Sequence, residues 1–358
     1  MENKTFTKRI LVTGGCGFIG SNLTKYLVKE HKDWLIVNFD ALTYAGVAEN
    51  LKDIENEPNY RFEYGDVMDE FTLSAVFANY AITDVIHLAA ESHVDRSVNS
   101  PMPFVFSNTV GTVYLLEAAR QWWSHEGTFE GHKFYYFSTD EVFGALQDGD
   151  EPFTETSRII PNSPYSASKA SADLFARAYH KTYGLPVIIS HMCNAIGGCQ
   201  FPEKLVPATI DRILNDEPII IYDAGLQSRE WIYTDDIVSA AMTVFEEGVP
   251  GETYNIGSGN EIKNIDLVNM IINNVCLLTG KDVDDVRSKI QYVKNARPGH
   301  DFRYAINHDK ITNELGWRPE VSLVEAVTKT VDWYLNNQDW VKKIKTGEYK
   351  AINDTYRY

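Results

Sequence analysis

Through the first half of the chain, short apolar runs alternate with longer amphipathic ones. Arg9–Thr13, Trp34–Phe39, Tyr60–Tyr64, Asp84–Leu88, Lys133–Ser138 and Leu185–Ser190 have the compact apolar character of buried strands. Between them, apolar positions recur at helical spacing, as in Ser21–Glu30, Asn108–Trp122 and Ser166–Tyr183. Strands alternating with helices predict βαβ units and an α/β fold, a doubly wound parallel sheet of the Rossmann type. Beyond about Ser190 the pattern loosens, with turns at Gly197-Gly198, Gly257-Ser258-Gly259 and Pro298-Gly299. Helices are expected at Leu205–Leu214, Asp235–Glu246, Ile265–Leu278 and Leu323–Asn336. We therefore expect residues 1–190 to form a cofactor-binding domain. Residues 191–358 would form mainly a smaller α/β substrate-binding lobe, with some segments able to return to the sheet. The tail from Asn337 onward is polar and is expected to be poorly ordered.

Composition narrows the functions available. The 358 residues are 44% hydrophobic and 23% charged, as in an ordinary globular protein. No run reaches the ~18 apolar residues of a membrane span, and Met1–Arg9 lacks the apolar core of a secretory signal. Lysine and arginine number 33 against 50 acidic residues, a net charge of −17. So acidic a chain is a poor partner for nucleic acid or an anionic membrane, because both demand a basic surface. The four cysteines show neither zinc spacing nor a disulfide framework, so no metal is expected and a reducing cytoplasm is.

Two motifs carry chemistry. Gly14, Gly17 and Gly20 follow the first strand and open the first helix. Glycines there let the backbone turn and approach a pyrophosphate at the free N–H groups of the helix start. Asp40 closes the second strand, where a carboxylate binds both ribose hydroxyls and repels a 2′-phosphate, favouring NAD over NADP. Asp66 ends the third strand and suits an adenine contact. The second motif is Tyr165-x-x-x-Lys169, whose members share a helix face. An ammonium beside a phenol is expected to lower its pKa and make it a general base. Thr139-Asp140-Glu141 ends the fifth predicted strand. Oxidation of an alcohol needs one base. Two further carboxyl groups allow one to act as acid and the other as base, which removal of water requires.

These residues stand in longer signatures: Asp40–Gly46 (DALTYAG), His87–Ser97 (HLAAESHVDRS), Ser138–Gly144 (STDEVFG), Ser163–Ala170 (SPYSASKA), Phe201–Leu205 (FPEKL) and Arg297–His300 (RPGH). From about Lys8 to Leu335 the chain resembles the nucleoside-diphosphate-sugar 4,6-dehydratases, in particular those acting on dTDP-glucose, within the extended short-chain dehydrogenase/reductase superfamily. The resemblance implies a tightly held, recycled NAD and a product that is a 4-keto-6-deoxy sugar nucleotide, a precursor of rhamnose and other deoxysugars. It implies that Tyr165, helped by Lys169 and Thr139, takes the 4-hydroxyl proton as C4 is oxidised. Glu141 would then take the C5 proton, Asp140 would protonate the departing C6 hydroxyl, hydride would return to C6, and a proton would be restored at C5. It also implies NAD contacts at Phe18, Ile19, Leu42, Thr43, Val67, Leu88, Ala89, Ala90, Ser92 and Ser107, besides the residues already named. Implied substrate contacts are Ser92, Thr139, Asn194, Lys204, Leu205, Tyr222, Arg229, Asn264, Arg297 and His300. The implied assembly is a homodimer.

The chain departs from the family pattern at Cys193-Asn194-Ala195-Ile196-Gly197. Ala195 stands where the family has a second asparagine beside NAD, and Gly198-Cys199-Gln200 replaces its Pro-Tyr-His. Phe143 and Ala296 replace a tyrosine and an aspartate. These changes put the preferred base or hexose in question, not the reaction. The competing readings are a nucleotide-sugar 4-epimerase, which has no need of Asp140-Glu141, and an NAD-binding regulatory or scaffold protein without turnover.

Overall fold

A computed structural model describes residues 6–294 and 301–357. The strands, in chain order, begin with β1 (Lys8–Thr13), β2 (Trp34–Asp40), β3 (Tyr60–Tyr64), β4 (Asp84–His87), β5 (Lys133–Thr139) and β6 (Val187–Met192). There follow β7 (Asn194–Ile196), β8 (Ile219–Tyr222), β9 (Ser228–Tyr233), β10 (Thr253–Ile256), β11 (Glu261–Lys263) and β12 (Ile290–Val293). Seven of them form one parallel sheet in the order β3-β2-β1-β4-β5-β6-β10. Strand order reverses between β1 and β4, so the crevice beyond their carboxyl ends is where a ligand of such a sheet binds. This is the Rossmann-type sheet the sequence predicts. Its seventh strand, β10, comes from the C-terminal half.

The strands are buried on both faces because helices cover both. Ile10, Val12, Ile36 and Ile86 enter one apolar cluster, and Leu11, Leu35, Val37 and Val85 enter the other. That alternation is the period of two of a strand. A further core lies in the C-terminal lobe, where Leu267, Val268, Ile271 and Ile272 of helix Asn264–Thr279 meet Ile210, Val327 and Val331. Burying one such side chain is worth about 1.5–3 kcal/mol. Two smaller sheets, β11-β9-β7 and β12-β8, complete the lobe.

Helices Leu205–Leu214 and Leu323–Asn336 have the expected bounds. The helix expected from Asn108 instead begins at Gly111, after a π-helical turn over Val105–Val110. There Asn108 turns its amide to Glu91, accepting from its N–H and donating to its carbonyl. The expectation of a poorly ordered tail is overturned. Helices Gln338–Thr346 and Glu348–Asp354 follow Asn337, with Trp340, Val341, Ile344 and Tyr349 buried. Polar composition hid a narrow apolar stripe at positions 340, 341 and 344, which is helical spacing. Among the described residues no helix is long and apolar enough to cross a membrane.

Candidate active site

The glycine turn lies at the mouth of the crevice. Gly14 has φ +73°, and a Cβ there would stand 2.7 Å from the Ala89 backbone. At Gly20 a Cβ would stand 2.1 Å from the Gly14 carbonyl oxygen, so helix Phe18–Glu30 packs directly on the turn. Gly17 caps the helix without a side-chain bond to its first N–H groups. Asp40 is buried at the end of β2, its Oδ2 accepting from Cys16 N–H and its Oδ1 from Leu42 N–H, both at 2.8 Å. Asp66 accepts from Met68 N–H at 2.9 Å. One cleft runs past all of these. A bare backbone at a helix start and a carboxylate at the end of β2 fit a dinucleotide with free ribose hydroxyls.

The cleft wall includes every residue expected to hold cofactor except Leu42: Gly14, Gly17, Phe18, Ile19, Gly20, Asp40, Thr43, Asp66, Val67, Leu88, Ala89, Ala90, Ser92, Ser107, Tyr165 and Lys169. Leu42 lies off the wall. It is 2% exposed, at φ +49°, and its side chain packs into the core while its N–H holds Asp40.

The chemical centre lies where β5 ends. The chain turns through a short helix, Asp140–Phe143, in which Thr139 Oγ1 accepts from Glu141 N–H at 3.3 Å. Asp140 is 2% exposed, and its Oδ2 has no hydrogen-bond partner. Burial, reinforced by Glu141 and Glu230, pushes its carboxyl well above the usual range, and Arg229 only partly opposes this. Glu141 is also raised by burial, but Arg229 and Lys204 restrain it. The neighbours are thus electrostatically unlike, as an acid and a base must be.

Tyr165 and Lys169 lie one turn apart on helix Pro164–Tyr183, whose start is fixed by a Ser163/Ser166 capping box. Lys169 Nζ donates to Phe137 O at 2.7 Å, and burial lowers its pKa to about 7. The expected lowering of the Tyr165 phenol does not occur. Burial and the nearby Glu141 raise it, and Thr139 pulls in the other direction. Desolvation outweighs charge proximity here because the whole pair is buried.

On the substrate side, Ser92 and Lys204 line the cleft, and Lys204 Nζ donates to Ser92 O at 3.1 Å. Thr139 is not on the wall but adjoins Tyr165, which is. Arg229 is off the wall too. It donates to the carbonyls of Ser228, Asp301 and Phe302 and lies 4.4 Å from the Tyr304 ring centroid, close enough to bias Glu141. The structure does not bring Asn194, Leu205, Tyr222 or Asn264 to this wall. Asn194 and Tyr222 lie on β7 and β8, and Leu205 and Asn264 each begin a helix. Asn194 and Asn264 each bury a side-chain oxygen without a partner. Arg297, His300 and Ala296 lie outside the described residues.

Sequence reasoning missed Tyr44, Glu91, Gln200 and Glu203, which also line the cleft. Three stand inside quoted signatures, so the signal was present. Tyr44 donates to Glu203 Oε1 at 3.0 Å, while the Arg96 guanidinium lies 3.8 Å from the Tyr44 ring centroid. The altered 193–200 segment reaches the cleft through Gln200. Ala195 instead packs on the core.

A family model described as GDP-mannose 4,6 dehydratase matches residues 11–330. The chain belongs to this nucleotide-sugar dehydratase family. Among curated relatives of the dehydratase, dTDP-glucose 4,6-dehydratase of Shigella flexneri is 46% identical over 353 residues, 96% of this chain and 97% of its own. The Neisseria meningitidis protein of that name is 44% identical over 352 residues, 96% of this chain and 98% of its own. Among solved structures, DesIV of Streptomyces venezuelae, a dTDP-glucose 4,6-dehydratase with NAD and dTDP bound, is 38% identical with a TM-score of 0.86, over 94% of this chain and 99% of its own. The UDP-glucose 4-epimerase of Thermotoga maritima, at 28% identity, still has a TM-score of 0.81, over 92% of this chain and 99% of its own. Backbone shape alone therefore does not separate dehydratase from epimerase, and the Asp140–Glu141 pair must.

Proposed function

We propose that the protein is an NAD-dependent hydro-lyase that converts dTDP-glucose to its 4-keto-6-deoxy derivative. One observation carries the reading. Two adjacent carboxyl groups, Asp140 and Glu141, lie at the end of β5 beside the Tyr165 hydroxyl, in environments that hold one protonated more firmly than the other. An epimerase has no work for such a pair.

Gly14, Gly17 and Gly20 with the start of helix Phe18–Glu30 would hold the pyrophosphate of NAD, and Asp40 its ribose hydroxyls. When bound, NAD supplies a hydride acceptor at C4 of the sugar and the matching donor at C6. Tyr165 Oη takes the proton of the 4-hydroxyl, with Thr139 Oγ1 steadying the phenolate and Lys169 orienting the site. Glu141 removes the C5 proton, made acidic by the new 4-keto group. Asp140 delivers its proton to the C6 hydroxyl, which departs as water, and a proton is restored at C5 as hydride returns to C6. Burial keeps bulk water from competing for these protons. Lys204, on the cleft wall, supplies a local cation of the kind an acidic chain needs beside a diphosphate, while Arg229 acts on Glu141. The cofactor falls mainly to residues 1–190 and the nucleotide sugar mainly to 191–358.

Exposed Met102, Val105 and Phe106 lie on the segment that packs against helix Pro164–Tyr183, which itself exposes Leu174 and Phe175, and this apolar surface supports a homodimer. The acidic surface and four unpaired cysteines support a cytoplasmic enzyme supplying deoxysugars such as rhamnose.

The test is to incubate purified protein with dTDP-, UDP-, GDP- and CDP-glucose, adding no NAD, and follow each by mass spectrometry. Loss of water from dTDP-glucose alone is the expected result. Water loss only from another nucleotide sugar would keep the mechanism and overturn the substrate. No water loss from any, with or without added NAD, would overturn the proposal.

A further inference from the structure

The last two helices do more than fill a core. Their buried polar side chains converge on one stretch of backbone, residues 44–50. Asn353 is 2% exposed, and its amide nitrogen donates to Gly46 O at 2.7 Å while its amide oxygen accepts from Ala48 N–H at 3.0 Å. The Tyr349 hydroxyl donates to Tyr44 O at 2.8 Å. Trp340 Nε1 donates to Asn50 Oδ1 at 2.9 Å, and the same Asn50 side chain donates to Cys16 O at 3.0 Å, inside the glycine turn.

The stretch they hold borders the cleft. Thr43, Tyr44, Ala45 and Gly46 all line it, next to Asp40. Residues 41–47 lie in no helix or strand, so their backbone polar groups must find partners elsewhere. Gly46 backs closely on the ribose-site carboxylate, since a Cβ there would stand 2.9 Å from Asp40 Oδ1. The path from Asn353 through Gly46 to Asp40 is therefore contiguous. An asparagine amide suits its place, because it offers a donor and an acceptor at once. Aspartate keeps only the acceptor, and alanine has neither. The matched family region ends at residue 330, short of these helices.

We infer that the C-terminal helix pair braces the ribose side of the cofactor site, with Asn353 as its central positioning residue, and so sets how long NAD is held. This rests on the reading that the cleft holds NAD. The experiment uses the full chain with its resident cofactor. Exchange against isotopically labelled NAD is followed by mass spectrometry, and dTDP affinity is measured by calorimetry as the control.

Two buried hydrogen bonds vanish in Asn353→Ala, so exchange should quicken about tenfold. Tyr349→Phe removes one bond and should quicken it about threefold. Asn353→Asp, which keeps the Ala48 contact, should fall between wild type and Asn353→Ala. The dTDP affinity should stay within about twofold in the two Asn353 variants, whose lost bonds go only to Gly46 and Ala48, and also in Tyr349→Phe, which keeps the ring on Phe201. If Asn353→Ala does not fold, Tyr349→Phe carries the test. Wild-type exchange rates in the folded variants, or a parallel loss of dTDP affinity, would overturn the brace alone. A wild-type protein that holds no NAD would overturn both the brace and the function.

Discussion

Asp140→Asn separates catalysis from stability in opposite directions. The side chain is 2% exposed and its Oδ2 is unpartnered, so the asparagine amide fills the same space. What disappears is the proton. A positioned general acid is worth about 10²–10⁴ in rate, which is about 2.7–5.5 kcal/mol of barrier. Because Asp140 itself is buried, hydronium substitutes poorly, and the loss should lie in the upper half of that range. Stability should move the other way. Burial, Glu141 and Glu230 raise the Asp140 pKa in the folded state. The folded protein then binds that proton more tightly than the unfolded chain does. Stability falls as pH rises past the unfolded value of about 3.9, and the deficit persists above the folded value. Asparagine has no charge to bury, so the variant should melt higher than wild type at pH 7, and the gap should close near pH 3. The assays are product formation from dTDP-glucose by mass spectrometry and thermal unfolding across pH. In deuterated buffer the variant should still exchange the C5 proton, since Glu141 is intact, whereas Glu141→Gln should not. A variant within about threefold of the wild-type rate, against the 10²–10⁴ expected of a general acid, refutes the assignment. So does one that melts lower at pH 7.

Four further outcomes follow from other parts of the site. Gly20→Ala places a methyl 2.1 Å from the Gly14 carbonyl oxygen; the purified protein should carry no NAD, as measured by absorbance after denaturation. Lys169→Met should abolish turnover yet stabilise the fold. The native pKa of about 7 lies below the ordinary 10.5, so wild type bears the full penalty of a buried ammonium below pH 7 and sheds it as pH rises towards 10.5. The advantage of the variant in thermal melts should shrink over that interval. Ala195→Asn, which restores the family residue, should cost about 1–3 kcal/mol in denaturant unfolding, because the carboxamide meets the core that Ala195 packs on. Gln200→Ala should instead change the KM for the nucleotide sugar, because Gln200 is the part of that segment on the cleft wall.

Much of this molecule was legible in sequence because its strong signals are local. A strand, a glycine turn and a helix follow one another within residues 8–30, and each reports its neighbour. Tyr165 and Lys169 declare themselves by helical spacing together with the Ser138–Glu141 strand end shortly before them. What was hidden depends on partners distant in the chain. Leu42 stands in a signature, yet its side chain packs into the core at a positive φ while its N–H holds Asp40. Ala195 looked like a missing cofactor contact, but β7 pairs with β9 and turns the methyl inward. The tail read as polar because its apolar stripe is only three residues wide, and its buried polar groups find their partners some 300 positions earlier.

The Tyr165 phenol shows where spacing and energetics diverge. Sequence places a lysine one turn away, and charge proximity alone would lower the phenol pKa. Proximity counts only if the lysine is charged, and Lys169 is buried deeply enough to titrate near neutrality, at about 7. Its ammonium is spent on the Phe137 carbonyl at 2.7 Å. The phenol meanwhile faces Glu141, whose charge opposes a phenolate. It follows that proton removal from the sugar 4-hydroxyl is easiest while Glu141 is neutral, and proton removal at C5 requires Glu141 ionised. The two steps make opposite demands on one carboxyl. Burial that raises its pKa, opposed by Arg229 and Lys204, meets them better than an environment fixing either form. Replacing Glu141 by glutamine should therefore ease oxidation at C4 while blocking elimination, leaving a 4-keto species that retains its C6 hydroxyl. Trapping that species with borodeuteride, as label at C4 of the recovered hexose, would bear this out. Recovery of unlabelled glucose alone would show that Glu141 assists the first step as well.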